Sequence, residues 1–275
     1  MTRPRPWWPI VAGLGLASLG AVLFGPALAW LVGSWRVHPY YSHGFLLPPI
    51  AAWFAWRARA GLTGGRPSDA GLALVSAGLG LHLVAAPWQA HPISIAGLFV
   101  VLLGLALLAG GPGALRAAAF PVSLLALAVP LPMVERLAPP LAGAVAHGAA
   151  LAAGALGVGV VRAGAQLAVG GGAFTVGAPC SGLNSLVALA TLGVVLAGTV
   201  DAAPWRRLAV VGLAVPLALA ANWVRLTGLL WVAGAFGAEA GLAVYHGPAS
   251  PLLFLVATAL LVRGGRALGC DVRPG

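Results

Sequence analysis

Apolar residues in this chain come in long, unbroken runs, most clearly Trp8 to Val32, Ala70 to Pro87, Ile93 to Leu108 and Leu208 to Ala235. Several of these reach the ~20 residues a helix needs to cross a bilayer. In hydrocarbon each unpaired backbone group costs several kcal/mol, so only helices or a closed barrel span it. Barrel strands alternate apolar with polar residues, and these runs do not. The expected fold is therefore all-α, a polytopic transmembrane helical bundle forming one integral membrane domain over residues 1–275. The pattern predicts about eight spans, near 9–33, 43–58, 69–87, 93–110, 115–132, 181–199, 207–234 and 248–264.

The stretch 133–180 breaks the pattern. Leu141 to Val161 is apolar but dominated by Ala and Gly, and reads as a re-entrant or surface-lying helix outside the span count. The segment that follows, VRAGAQLAVGGGAFTVGAPC, sets β-branched residues between glycine turns and predicts a short extracytoplasmic hairpin. It delivers Cys180 to the outer mouth of the next helix.

Composition sharpens the membrane assignment, since 60% hydrophobic against 7% charged side chains cannot dress a soluble surface. Arg3 and Arg5 before an apolar run resemble the start of a signal peptide. That run continues without a clear small-residue cleavage site, and reads as the first span. The formal charge of +10 comes from basic residues that are all Arg and are scattered between apolar runs, which excludes a nucleic-acid surface. An Arg-only, Ala/Gly-rich composition points to a GC-rich bacterial genome, and hence to a bacterial cytoplasmic membrane.

Those arginines carry orientation, because positive side chains stay on the cytoplasmic face. With the N-terminus inside, that face receives Arg3, Arg5, Arg57, Arg59, Arg66, Arg116, Arg206, Arg207, Arg263, Arg266 and Arg273. Only Arg36, Arg136, Arg162 and Arg225 fall elsewhere. Both termini are expected to be cytoplasmic.

Within this topology Cys180 lies at the outer face and Cys270 in the cytoplasmic tail, too far apart for a disulfide. With no His nearby in sequence, neither Cys completes a zinc site of ordinary spacing. Cys180, in APCSGLNSL, precedes a helix start, where the dipole favours a nucleophilic thiolate. A small packing residue is the plainer reading of it. Arg225, in NWVRLTGLL, sits within an apolar span at a cost of at least ~2.5 kcal/mol on insertion scales. It falls near the predicted depth of Cys180 and shares a helix face with Asn222. Snorkelling to the outer headgroups is its plainer reading. His246, in VYHGPASPLLF, is expected in the loop before the last span, on the same side. Together a Cys, a His and a cation are what thiol-based acyl transfer requires: a nucleophile, a proton carrier and a charge to stabilise thiolate or oxyanion.

These segments resemble the exosortase and archaeosortase family of multispanning membrane cysteine enzymes. The resemblance rests on Cys180-Ser181-Gly182, on Asn222 to Arg225, on His246, and on Tyr41, Ser42, His43 and Gly44 in HPYYSHGFLLPPIAAWFAWR. It spans about residues 35 to 264. It implies processing of secreted proteins that end in a short motif, an apolar helix and a basic tail, with no cofactor. Cys180 would attack the backbone carbonyl, His246 would protonate the leaving amine, and Arg225 would stabilise the developing charge. Ser181, Gly182, Asn184, Asn222, His43 and Tyr41 would support the site or bind substrate. The YYSHG segment equally reads as a helix cap with interfacial tyrosines. Two features depart from the family's pattern: Asn184 stands where bacterial members often carry a basic residue, and Gly247-Pro248 follows His246 directly. They leave the substrate motif and subtype open.

Two rival readings follow from the same residues. One is a transporter or polysaccharide-export component in which Arg225 binds an anionic substrate. The other keeps hydrolysis and makes Ser181 the nucleophile.

Overall fold

The structure is a computed structural model that describes residues 8–63, 65–177, 181–247 and 249–272. It is a helical bundle with very little sheet. Its contacts fall into two units, Met1–His38 with Ser42–Pro130, and Pro39–Tyr41 with Leu131–Gly275.

In the first unit, helices α1 (Trp8–Leu23) and α2 (Gly25–Val37) meet at a sharp bend. The predicted first span is thus two helices inclined at 73°, broken where Pro26 opens α2. A 3-10 turn over Ser42–Leu46 leads into α3 (Leu47–Arg57), with prolines in its first turn, and α4 (Arg59–Thr63) follows. Next come α5 (Ala70–Ala85) and α6 (His91–Ala126). The two spans expected at 93–110 and 115–132 are the halves of α6, separated by Gly111 at φ 68°. Pro112 follows, so neither residue continues a regular helix.

The α5–α6 hairpin is held by backbone contact. A methyl at Gly97 would stand 2.6 Å from the Gly78 carbonyl oxygen, and one at Gly78 would stand 2.6 Å from that of Gly97. Seven residues along each helix, a methyl at Gly71 would stand 2.6 Å from the Gly104 carbonyl oxygen, and one at Gly104 would stand 2.7 Å from the Val75 backbone nitrogen. Lipid offers no hydrophobic force to drive helices together, so small residues that admit close packing decide where they join. Beside this seam, buried His82 shares a 2.7 Å hydrogen bond between Nδ1 and Ser94 Oγ.

The second unit begins with α7 (Pro132–Glu135) and α8 (Ala138–Ala155). Pro132–Ala155 is long and apolar enough to cross a membrane, unlike the re-entrant or surface helix expected there. The predicted hairpin is a three-stranded antiparallel meander of β1 (Val161–Ala163), β2 (Gln166–Val169) and β3 (Gly172–Thr175). Leu167, Val169 and Phe174 on one face of the meander pack with Ala146 and Ala149 of α8.

The remaining helices are α9 (Leu183–Thr199), α10 (Pro204–Phe236), α11 (Ala238–His246) and α12 (Ala249–Ala267). Between α9 and α10, β4 (Val200–Asp201) pairs with β5 (Asp271–Val272). Among the described residues, Ala70–Trp88, His91–Ala126, Pro132–Ala155, Pro204–Phe236 and Ser250–Ala267 are each long and apolar enough to span, and the bent α1–α2 pair makes a sixth. The predicted spans 43–58 and 181–199 are helical but fall short of that length.

The glycine seam should be the sensitive part of the first unit. Gly97→Ala should lower the melting point of the detergent-solubilised protein, with overpacking costing about 1–3 kcal/mol. Gly80 has open space where a Cβ would stand, so Gly80→Ala should be neutral or should stabilise by up to ~1 kcal/mol. Equal melting shifts for the two variants would contradict the seam.

Candidate functional site

The site is assembled at one end of the α9, α10 and α12 bundle. Helices α9 and α10 run antiparallel: a Cβ at Gly182 would meet the Asn222 side chain, and one at Gly193 would meet the Val211 backbone. Helix α12 runs opposite to α10 as well, with Gly264 against Leu213 at one end and Ser250 beside Arg225 at the other. The starts of α9 and α12 therefore lie at the level of Arg225. The opposite end carries Arg206 and Arg207 at the start of α10, and Arg263 and Arg266 near the end of α12.

Gly182 is the N-cap of α9 in the left-handed region, at φ 83°. A Cβ there would lie 2.8 Å from Asn222 Nδ2 and 2.9 Å from Cγ. Both the turn and the approach to α10 thus require glycine. The helix starts two residues later than the span expected from 181, with Gly182 as its N-cap. Cys180 itself lies outside the described residues.

Ser181 is fully buried, and its Oγ accepts a hydrogen bond from the Leu183 N–H at 3.3 Å. Asn184, in the first turn of α9, is exposed. Asn222 is 3% exposed, and Arg225, one turn further along α10, is half-buried. Asn222 and Arg225 line one small cavity with Ser185 and Ser250; its volume of about 10 Å³ is close to that of a single water probe. Among the described residues, the rest of the lining is apolar and contains no carboxylate. Ser185 and Ser250 escaped the sequence reading. Ser185 lies one turn after Gly182, a signal that was available, but Ser250 is brought in only by the packing of α12.

Helix α10 is about 50 Å long at 1.5 Å per residue, well beyond the ~30 Å of a hydrocarbon core. Its last turns carry Leu226, Leu229, Leu230 and Ala233 into a shared core with α8 and the meander. Gly170, in the β2–β3 turn, sits directly on the Ala233 carbonyl. Gly237, at φ 90°, then reverses the chain into α11. A Cβ at Gly241 would meet Ala233 Cβ at 2.7 Å and the Leu229 carbonyl oxygen at 3.0 Å, so α11 packs closely back along α10. His246 is the last residue of α11, the short helix that forms the connection before α12. Five residues beyond Gly241 is about 7 Å along the helix, which returns its backbone toward the level of Arg225.

Tyr41 is 2% exposed, and its hydroxyl accepts the Leu131 N–H at 3.0 Å. Burial raises its pKa, the Glu135 carboxylate adds to that, and the Leu131 N–H opposes it. With Tyr40 also buried, these tyrosines are interior groups, not the interfacial anchors that were one of two readings. His43 lies in the 3-10 turn of the first unit and is half-buried. Gly44 beside it is fixed by the Trp35 indole, which fills the space of a Cβ and donates from Nε1 to the Ala128 carbonyl at 2.8 Å.

Fold and site together define a multi-pass helical membrane protein with a polar cluster set at one end of a bundle. The family model for transmembrane exosortases matches residues 35–263, and the chain belongs to that family. Comparison with curated proteins and with solved structures finds no match.

The contact between α9 and α10 makes a direct prediction. Gly182→Ala should destabilise the protein through two separable effects, the left-handed backbone at about 1–2 kcal/mol and the collision with Asn222. In an Asn222→Ala background the second effect should vanish, so the cost of Gly182→Ala, read from melting curves, should fall. An unchanged cost would refute the contact.

Proposed function

We propose that the chain is a membrane-embedded cysteine protease or transpeptidase that cleaves a C-terminal sorting signal from secreted proteins. The reaction takes place at the extracytoplasmic face of a bacterial cytoplasmic membrane, and both termini are cytoplasmic. The observation that carries this reading is the convergence of three motif segments, far apart in sequence, on one end of the α9–α10–α12 bundle. Gly182 touches Asn222, Arg225 stands one turn further on, and α11 brings the backbone of His246 back toward the same level. Cys180 is covalently two residues from Gly182, which limits their Cα separation to about 7 Å.

Orientation is supported from within this unit. The end holding Arg225 is opposite the one bearing Arg206, Arg207, Arg263 and Arg266, and clustered basic residues mark the cytoplasmic side. This holds whether or not α8 spans the membrane.

In the chemical sequence the Cys180 thiolate adds to a substrate backbone carbonyl, forming a tetrahedral oxyanion. The oxyanion collapses, the C–N bond breaks and a thioester forms, while His246 gives its proton to the departing amine. Water or an acceptor amine then attacks the thioester and releases the thiolate, which makes the outcome hydrolysis or transpeptidation. Arg225 and the positive ends of α9 and α12 favour the anionic species along this path. Among the described residues lining the cavity there is no acid to cancel that field. Asn184, exposed at the start of α9, is suited to contact substrate, while Asn222 and Gly182 set the distance between helices. Tyr41 and His43 are assigned supporting roles.

Ser181 is a poor alternative nucleophile because it is fully enclosed and its oxygen is engaged by the Leu183 N–H.

Cys180→Ala should leave the protein folded and lower cleavage of a co-expressed tail-anchored substrate by at least about 10³-fold, whereas Ser181→Ala should retain cleavage. A membrane-impermeant alkylating reagent added from outside should label the native chain and not Cys180→Ser. Normal processing by Cys180→Ala would reject the mechanism.

A further inference from the structure

The cavity beneath Arg225 has a composition that the proposed reaction leaves unexplained. Among the described residues, its walls are apolar except for Ser185 from α9, Asn222 and Arg225 from α10, and Ser250 from α12. At about 10 Å³ it holds no more than one water molecule. A water is stable at such a site when two to four polar groups surround it, and four residues bring polar side chains here, from three different helices. A guanidinium within a bundle needs solvation that hydrocarbon cannot give. Besides the partner Arg225 already has, the described residues of the lining offer it neutral dipoles.

The geometry points to Ser185 and Ser250 as positioning residues that bind one buried water with Asn222 and, through it, hold the Arg225 guanidinium toward the mouth of the site. This rests on the reading of Arg225 as the group that stabilises the Cys180 thiolate. The ligand is water alone, and neither serine takes part in bond making or breaking. A serine that merely packed between helices would affect expression and melting, but would not act on the thiol through Arg225.

The test uses the full chain in membranes and follows the rate of Cys180 alkylation against pH, whose midpoint reports thiolate formation. Arg225→Gln should raise that midpoint. The double variant Ser185→Ala with Ser250→Ala should also raise it, by roughly half a unit to one unit, and should add nothing further in the Arg225→Gln background. Ala221→Val, which adds methyls to the cavity without removing a hydroxyl, should reproduce the serine effect by displacing the water. If Arg225→Gln moves the midpoint and the serine pair does not, or if the serine shift persists in the Arg225→Gln background, the positioning role is wrong. If Ala221→Val has no effect, the water is wrong. A midpoint unmoved by Arg225→Gln would instead overturn the electrostatic role of Arg225 and this inference with it. Melting curves in detergent show which variants remain folded.

Discussion

Close contact between helix backbones is the constraint on which the rest of this structure depends. Lipid tails are as apolar as leucine side chains, so burying leucine against leucine gains little within a bilayer. What remains is dispersion between surfaces that fit, and the closest fit comes where side chains are absent. In the first unit this is the Gly71, Gly78, Gly97 and Gly104 seam. In the second, Gly182 on Asn222, Gly193 on Val211, Gly241 on Ala233 and Gly264 on Leu213 fix α9, α11 and α12 to α10. These contacts also set register, because each admits its neighbour at one height only.

Register is what turns packing into a site. Helix α10 is the common strut, and its length lets it serve two surroundings. Its first part lies between α9 and α12, while its last turns leave them and join α8 and the β-meander in a separate core. Arg225 stands near the changeover, between Asn222 in the helical bundle and Leu226 at the start of the second core. A cation there can be solvated by serine and asparagine dipoles on one side and still face outward on the other. The reversal at Gly237 then returns α11 along the strut, which a straight continuation of α10 could not do.

Much of this was legible in the sequence, and the losses have physical causes. Long apolar runs gave the helices, and the Gly-rich segment after Val161 gave the extended structure, because both signals are local. The break at Gly111 also fell where the runs had been divided. The bend between α1 and α2 was hidden because Gly25 and Pro26 sit inside a run that is apolar throughout, and hydropathy carries no angle. Treating 141–161 as something other than a span followed from its Ala and Gly content, yet those small residues are what let α8 pack on α10 and the meander. Helix α11 was missed since AEAGLAVYH is short and weakly patterned, and it owes its form to Gly241 against Ala233.

For the site, sequence singled out the residues proposed to carry chemistry but not what holds them. Cys180, Arg225 and His246 are unusual side chains in an apolar chain and draw attention singly. Ser185 and Ser250 are ordinary residues whose significance lies in facing one cavity from two helices. Gly182 belongs to both classes, being part of a motif and also the point where α9 meets α10. Its left-handed φ and its close approach to Asn222 each require glycine at that point. The motif Cys-Ser-Gly thus has a structural reading beside the proposed chemical one: glycine anchors the turn, and the buried serine accepts the Leu183 N–H within it.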